Sequence, residues 1–255
     1  MSIELHWADC FDVFPSIKDQ SIDLVLCDPP YGTTKNNWDS ELPLRTLWGN
    51  LNRIIKPNSA VVLFGQNPFS SALLVSNYHG YKHTWHWNKK SSANFAVAKY
   101  MPLTVTEDIL VFSKDGEKVN YYPQMLEGKL RYRGSKNAKS NGAGFGGIKQ
   151  VYYQSNQYYP TNLLEFSVVP RKQSKHPSQK PVDLLEYLIK TYSLEGQTVL
   201  DFTMGSGSTG VACKNTNRSF IGIEKEKEYF DIAKQRILTE GTQETEVDFI
   251  EYAFT

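Results

Sequence analysis

Along this chain, short runs in which nearly every position is apolar alternate with stretches whose apolar positions recur every three or four residues. Ile3–Ala8, Ile22–Asp28, Ala60–Gly65 and Ile109–Ser113 are runs of the first kind, bounded by turn residues, and each predicts a strand. Tyr81–Trp87 predicts another. Leu44, Leu47, Trp48, Leu51, Ile54 and Ile55 fall at helical spacing and stop before Pro57-Asn58, which predicts an amphipathic helix lying on a sheet. Farther along, Leu185, Leu188, Ile189 and Tyr192 predict a helix opened by Pro181. Strands at Thr198–Phe202 and Ser219–Glu224 then flank a helix over about Ser206–Lys214, and Phe230, Ala233 and Ile237 mark a last helix. Strands alternating with helices predict an α/β fold with a doubly wound, mostly parallel sheet.

The pattern fails between Asp115 and about Lys175. Residues Gly134–Gly147 have no apolar periodicity and too much glycine for regular structure, which predicts an insertion. Tyrosines flank it, Tyr121, Tyr122 and Tyr132 before, Tyr152, Tyr153, Tyr158 and Tyr159 after, as base-stacking rings or as the insertion's own small core. The expected division is therefore 1–114, the insertion 115–175, a second half 176–240, and a tail 241–255 that is acidic and then apolar.

Charge sharpens the division. The net charge is +1. Between Lys114 and Lys180, however, twelve basic side chains meet four acidic ones, a local +8 that leaves −7 for the rest. A basic segment in an acidic protein is the footprint expected of a polyanion site, because phosphate contacts need clustered Lys and Arg. Arg131, Arg133, Lys136, Lys139 and Lys149 are its candidate DNA contacts, and Arg131 and Arg133 would share one strand face. No apolar run approaches the roughly 20 residues of a membrane span, and the amino end carries no signal pattern, so a cytoplasmic protein is expected. Cys10, Cys27 and Cys213 form no Cys-x-x-Cys pair and predict reduced core residues. His83 and His86, three apart on a predicted strand, face opposite sides, so no metal site is expected.

Two segments carry candidate chemistry. Gly205, Gly207 and Gly210 have Gly-x-Gly-x-x-Gly spacing after a strand, and Glu224 closes the next strand, where its carboxylate can accept hydrogen bonds from both ribose hydroxyls. That pattern alone suits a nicotinamide-dependent dehydrogenase. Asp201 before the glycines would repel a pyrophosphate and suits a ligand with a cationic amino-acid end, such as S-adenosylmethionine. The second segment is Asp28-Pro29-Pro30-Tyr31, at the end of the run Ile22–Leu26. An exocyclic amino nitrogen is a poor nucleophile because its lone pair is delocalised into the ring. A carboxylate and a carbonyl that accept its two hydrogens, here Asp28 and Pro29, free that lone pair. The prolines fix the carbonyl's direction, and Tyr31 can stack on a base taken out of the duplex.

With both segments the chain resembles the β-group amino-directed DNA methyltransferases of the N6-adenine type, in which the catalytic motif precedes the cofactor motif. The likeness covers residues 1 to about 238, outside the basic insertion. It implies a Rossmann-like, seven-stranded methyltransferase sheet whose catalytic half is 1–114 and whose cofactor half is 176–240, with 115–175 as target-recognition region. It also implies Asp28, Pro29, Pro30 and Tyr31 as the catalytic motif. For cofactor binding it implies Asp9, Asp201, Phe202, Gly205, Ser206, Gly207, Thr209 and Glu224, with Lys180, in His176–Pro181, toward the methionine carboxylate. Phe202 and Thr203 stand where the family usually has Pro and Phe, which leaves open which ring packs on the cofactor. Phe95, Lys99 and Pro102 are similar to a segment bordering the flipped-base pocket, though Phe95 equally suits a core.

The expected function is thus S-adenosylmethionine-dependent, site-specific methylation of adenine N6 in double-stranded DNA, by direct transfer, with a cognate restriction endonuclease as possible partner and a monomer or homodimer as assembly. None of the cysteines follows a proline, which disfavours a covalent carbon methylation. Cytosine N4 remains the alternative within the class. A dehydrogenase and a non-catalytic DNA-binding module remain outside it.

Overall fold

The computed structural model describes residues 1–32, 42–93, 95–133, 153–170, 172, 174–176, 179–240 and 247–251, with backbone alone for 132, 133, 153 and 247–251. Lys136, Lys139 and Lys149 lie outside the described residues, as does the Arg133 side chain.

Eleven strands are described: β1 (Ile3–Trp7), β2 (Ile22–Cys27), β3 (Ile55–Gly65), β4 (Tyr81–Ala93), β5 (Thr104–Ser113), β6 (Leu126–Arg133), β7 (Tyr153–Tyr158), β8 (Leu163–Glu165), β9 (Thr198–Asp201), β10 (Ser219–Glu224) and β11 (Val247–Glu251). The helices are α1 (Cys10–Val13), α2 (Leu44–Ile54), α3 (Phe69–Ser76), α4 (Val182–Tyr192), α5 (Ser208–Asn215) and α6 (Lys227–Thr239). Two compact units divide the chain, Met1–Tyr122 with Asn162–Thr255, and Pro123–Thr161.

The larger unit is built on one sheet of order β11-β1-β10-β9-β2-β3-β5-β4-β8. Its seven central strands are those expected from the apolar runs, and β11 and β8 extend it at either edge. These additions come from segments without a strand pattern of their own; each satisfies backbone groups that the edges of β1 and β4 would otherwise leave unpaired. β5 alone runs antiparallel to both its neighbours.

All six residues of β2 are buried, as a central parallel strand requires. Leu24 and Leu26 join the core beneath α4, α5 and α6, with Leu184, Leu188, Val211 and Ile237. Val25 and Cys27 point to the other face and pack with Leu47, Leu51 and Leu73 of α2 and α3. The polar exception, Asp23, is paired with Lys56 Nζ at 2.7 Å and accepts from the Thr198 amide at 3.0 Å. The insertion's flanks belong to this unit. The Tyr122 amide donates to the Thr191 carbonyl at 2.8 Å, and the Trp87 indole donates to the Phe166 carbonyl at 2.8 Å.

From β9 the chain crosses through α5 to β10, while from β2 it crosses through α2 to β3 in the opposite direction. Strand order reverses between β9 and β2. At such a switch point the crossovers diverge and leave a crevice at the carboxyl edge of the sheet. The register pairs Val25 with Leu200, Gly222 with Asp201 and Trp7 with Glu224. Asp28, Asp201, Glu224 and Asp9 therefore end four adjacent parallel strands on that edge.

The smaller unit is the antiparallel hairpin β6–β7. Arg131 lies over the Tyr158 ring, 3.3 Å from its centroid, and donates to the Gln157 carbonyl at 3.3 Å. Gly128 permits this packing, since a Cβ there would sit 2.7 Å from the same ring.

Candidate active site

The crevice is a cavity of about 470 Å³. Asp9, Asp28, Pro29, Pro30, Tyr31, Lys180, Asp201, Phe202, Gly205, Ser206, Thr209 and Glu224 all line it. Residues more than 170 positions apart in sequence thus share one wall. Gly207 is set back at the turn that shapes it. Arg131 is in the hairpin unit.

Glycine is required at that turn. Gly205 and Gly207 have φ of 51° and 77°, left-handed values that glycine adopts without strain. A Cβ on Gly207 would also lie 2.9 Å from the Ala233 backbone. Arg236 braces the turn from α6, donating to the Ser206 carbonyl at 2.7 Å and to the Ser206 and Ser208 hydroxyls. No motif pointed to Arg236, because its contact depends on how α6 packs.

Glu224 accepts from the Gly205 amide at 2.9 Å and the Glu226 amide at 2.8 Å. A carboxylate has about four acceptor positions, so lone pairs remain toward the cavity. Burial pushes its carboxyl up to about 7, although those two amides pull the other way. Asp201 accepts from the Thr209 hydroxyl at 2.6 Å and the Thr203 amide at 3.2 Å, and burial pushes it up to about 6. Much of its hydrogen bonding capacity therefore holds the turn. Asp9 caps α1 through the Phe11 amide at 2.9 Å. Phe202 is buried against Phe14, ring centroids 5.9 Å apart, while also lining the cavity. Its neighbour Thr203 replaces a ring with a hydroxyl, which donates to the Asp28 carbonyl at 3.1 Å. That bond ties the turn after β9 to the turn after β2.

Tyr31 stacks on Phe69 with centroids 5.0 Å apart and donates to Asp28 Oδ1 at 2.7 Å. Asp28 Oδ2 accepts from Lys180 Nζ at 2.5 Å. Burial raises the Asp28 carboxyl above its ordinary value, opposed by the Lys180 charge. Lys180, expected to face a cofactor carboxylate, is thus placed against the Asp28 carboxylate. It also lies 3.0 Å from Glu107 Oε1, and Glu107 Oε2 accepts from Lys89 Nζ at 3.1 Å. Neither Glu107 nor Lys89 carried a sequence signal beyond charge within a strand. His176, also lining the cavity, is held neutral, its imidazole pushed down to about 4 by burial and by Lys180. Phe95 and Tyr100, beyond the end of β4, are 69% and 85% exposed, so Phe95 is no core residue.

A family model described as DNA methylase matches residues 22–235. Type II methyltransferase M.HpaI of Haemophilus parainfluenzae is 29% identical, over 94% of this chain and 76% of that protein. Type II methyltransferase M2.DpnII of Streptococcus pneumoniae is 29% identical, over 92% and 89%. Among solved structures, the M1.HpyAVI–SAM complex superposes with a TM-score of 0.63 at 28% identity, covering 92% of this chain and 98% of that one. The cytosine-N4-specific PvuII methyltransferase shares the fold, with a TM-score of 0.64 at 17% identity over 97% of this chain and 95% of that one.

Proposed function

The chain belongs to the N6/N4 DNA methylase family, and from that premise we propose that it is a site-specific methyltransferase of adenine N6 in double-stranded DNA, using S-adenosylmethionine. One observation carries the reading: Asp28, rather than a serine, opens onto the same cavity as Glu224 and the glycine turn. S-adenosylmethionine, when bound, supplies an electrophilic methyl group on a sulfonium. The lining residues fit that molecule: Glu224 would offer its remaining lone pairs to two ribose hydroxyls, Asp9 would take the adenine end, and Gly205, Ser206, Thr209 and Asp201 would hold the amino-acid end.

Asp28 Oδ1 and the Pro29 carbonyl accept the two hydrogens of the target amine, which localises its lone pair for attack. For Oδ1 to serve, the Tyr31 hydroxyl yields its place, and the ring then faces a base taken out of the stack. Phe95 and Tyr100, with the basic side chains of residues 115–175, are the DNA contacts in this reading. The names of its relatives support a type II restriction–modification role, with an endonuclease of the same recognition sequence as partner.

The test uses tritiated S-adenosylmethionine and duplex DNA, digested to nucleosides after reaction. Label in N6-methyladenine is expected. Label in N4-methylcytosine, or none, overturns the assignment. Asp28→Ala is expected to lower transfer at least about a thousandfold while cofactor Kd changes little, as for loss of a group acting in the transition state.

A further inference from the structure

Four charged side chains that line the cavity alternate in sign: Asp28, Lys180, Glu107 and Lys89. Lys180 bridges the two carboxylates at 2.5 and 3.0 Å, and its ammonium lies 4.9 Å above the Phe64 ring. Lys89 completes the series at 3.1 Å from Glu107. Side-chain exposure is 9% for Lys180 and for Glu107, against 20% for Asp28. The two pairs sum to zero charge in a place where an unpaired ion would be costly.

We propose that Glu107 and Lys180 are a positioning pair for the methyl transfer: Glu107 anchors Lys180, and Lys180 holds Asp28 Oδ2, leaving Oδ1 aimed at the substrate amine. This rests on the function proposed above and adds to it two residues with roles of their own. A carboxylate left without a cation in this cavity, which Phe64 and Trp87 also line, takes up a proton once a base displaces water, and a protonated Asp28 accepts weakly. Lys180 prevents that. Lys180 without Glu107 is a flexible cation with one partner, free to pull Asp28 out of line. Glu107 acts through Lys180, although the Tyr31 hydroxyl also reaches it at 3.2 Å. The other groups facing Asp28 are Tyr31, from its own turn, Asp201 at the end of β9, and Cys27 and Thr203 beside its backbone.

Lys180→Met and Glu107→Gln in the full chain separate this role from cofactor binding. Each is expected to keep its S-adenosylmethionine Kd within about twofold and to lower the single-turnover rate about tenfold or more. The acid limb of the pH–rate profile is expected to move in opposite directions. It shifts up in Lys180→Met, where Asp28 faces Glu107 without a cation between them. It shifts down in Glu107→Gln, where a carboxylate neighbour is removed and the cation stays. A purely structural defect lowers both rates without that opposition. A cofactor Kd weakened in step with the rate in Lys180→Met overturns the proposal in favour of a cofactor contact, and a wild-type rate and limb in Glu107→Gln also overturns it. Titration of Asp28 by ¹³C-carboxyl NMR reads the same two displacements without any transfer. A wild-type chain inactive on DNA thus overturns the assigned reaction, while the pair is judged on the titration.

Discussion

At the scale of single residues, the site depends on carboxylates whose protons are held more tightly folded than unfolded. Burial raises Glu224 to about 7 and Asp201 to about 6. A raised folded value means that the contribution of these two groups to the stability of the chain without cofactor is fully present below the ordinary carboxylate range and is lost as pH climbs through those two values. In the role proposed for Glu224, cofactor binding has the opposite sign, since ribose hydroxyls would donate to its ionised form. Affinity for S-adenosylmethionine is expected to weaken toward about tenfold per pH unit below about pH 7, measured by equilibrium dialysis, and to flatten in Glu224→Gln. A flat wild-type profile would remove Glu224 from the binding role. The sequence pointed to Glu224, Asp201 and Asp28 because each ends an apolar run. It was silent on Glu107, which sits at the start of its strand.

At the scale of elements, what counts is how one strand or helix end meets the next. The turn from β9 to α5 was legible from glycine spacing, yet glycines with the same backbone conformation answer different constraints. Gly207 has a left-handed φ of 77° and faces the Ala233 backbone, whereas Gly196, in the separate turn between α4 and β9, has φ of 78° with nothing within 4 Å. Substitution by alanine at Gly196 is expected to cost roughly 1 kcal/mol, the conformational penalty alone. At Gly207 the clash is added, and roughly 2–4 kcal/mol is expected from denaturant unfolding. Equal losses at both sites would show that the packing of α6 on the turn contributes nothing. Direction matters as much as contact. Because β5 is antiparallel to β3 and β4, its first residues reach the carboxyl edge of the sheet, and Glu107 comes to the cavity by that reversal.

At the scale of the whole molecule, charge is unevenly divided along the sequence: residues 114–180 carry +8 of a net +1. DNA affinity is therefore expected to fall steeply with salt while cofactor affinity does not. Lys129→Ala with Arg131→Ala is expected to reduce the slope of log K against log salt by about 0.9 for each phosphate no longer neutralised. An unchanged slope would take the hairpin out of DNA binding. Family membership and the shared cavity leave a dehydrogenase with no use for Asp28, and a non-catalytic DNA-binding module with none for the cofactor turn. The sequence by itself determined the α/β class, the seven central strands, the Asp-Pro-Pro-Tyr turn at the end of β2 and the glycine turn, because local periodicity and backbone demands are written in neighbouring residues. Tertiary structure alone decided which charges meet. Strand order sets Asp28 beside Thr203, strand direction brings Glu107 to the edge, and a loop 152 residues from Asp28 delivers Lys180 to it at 2.5 Å. Those partnerships depend on through-space distance in a low-dielectric crevice, and separation along the chain carries no measure of it.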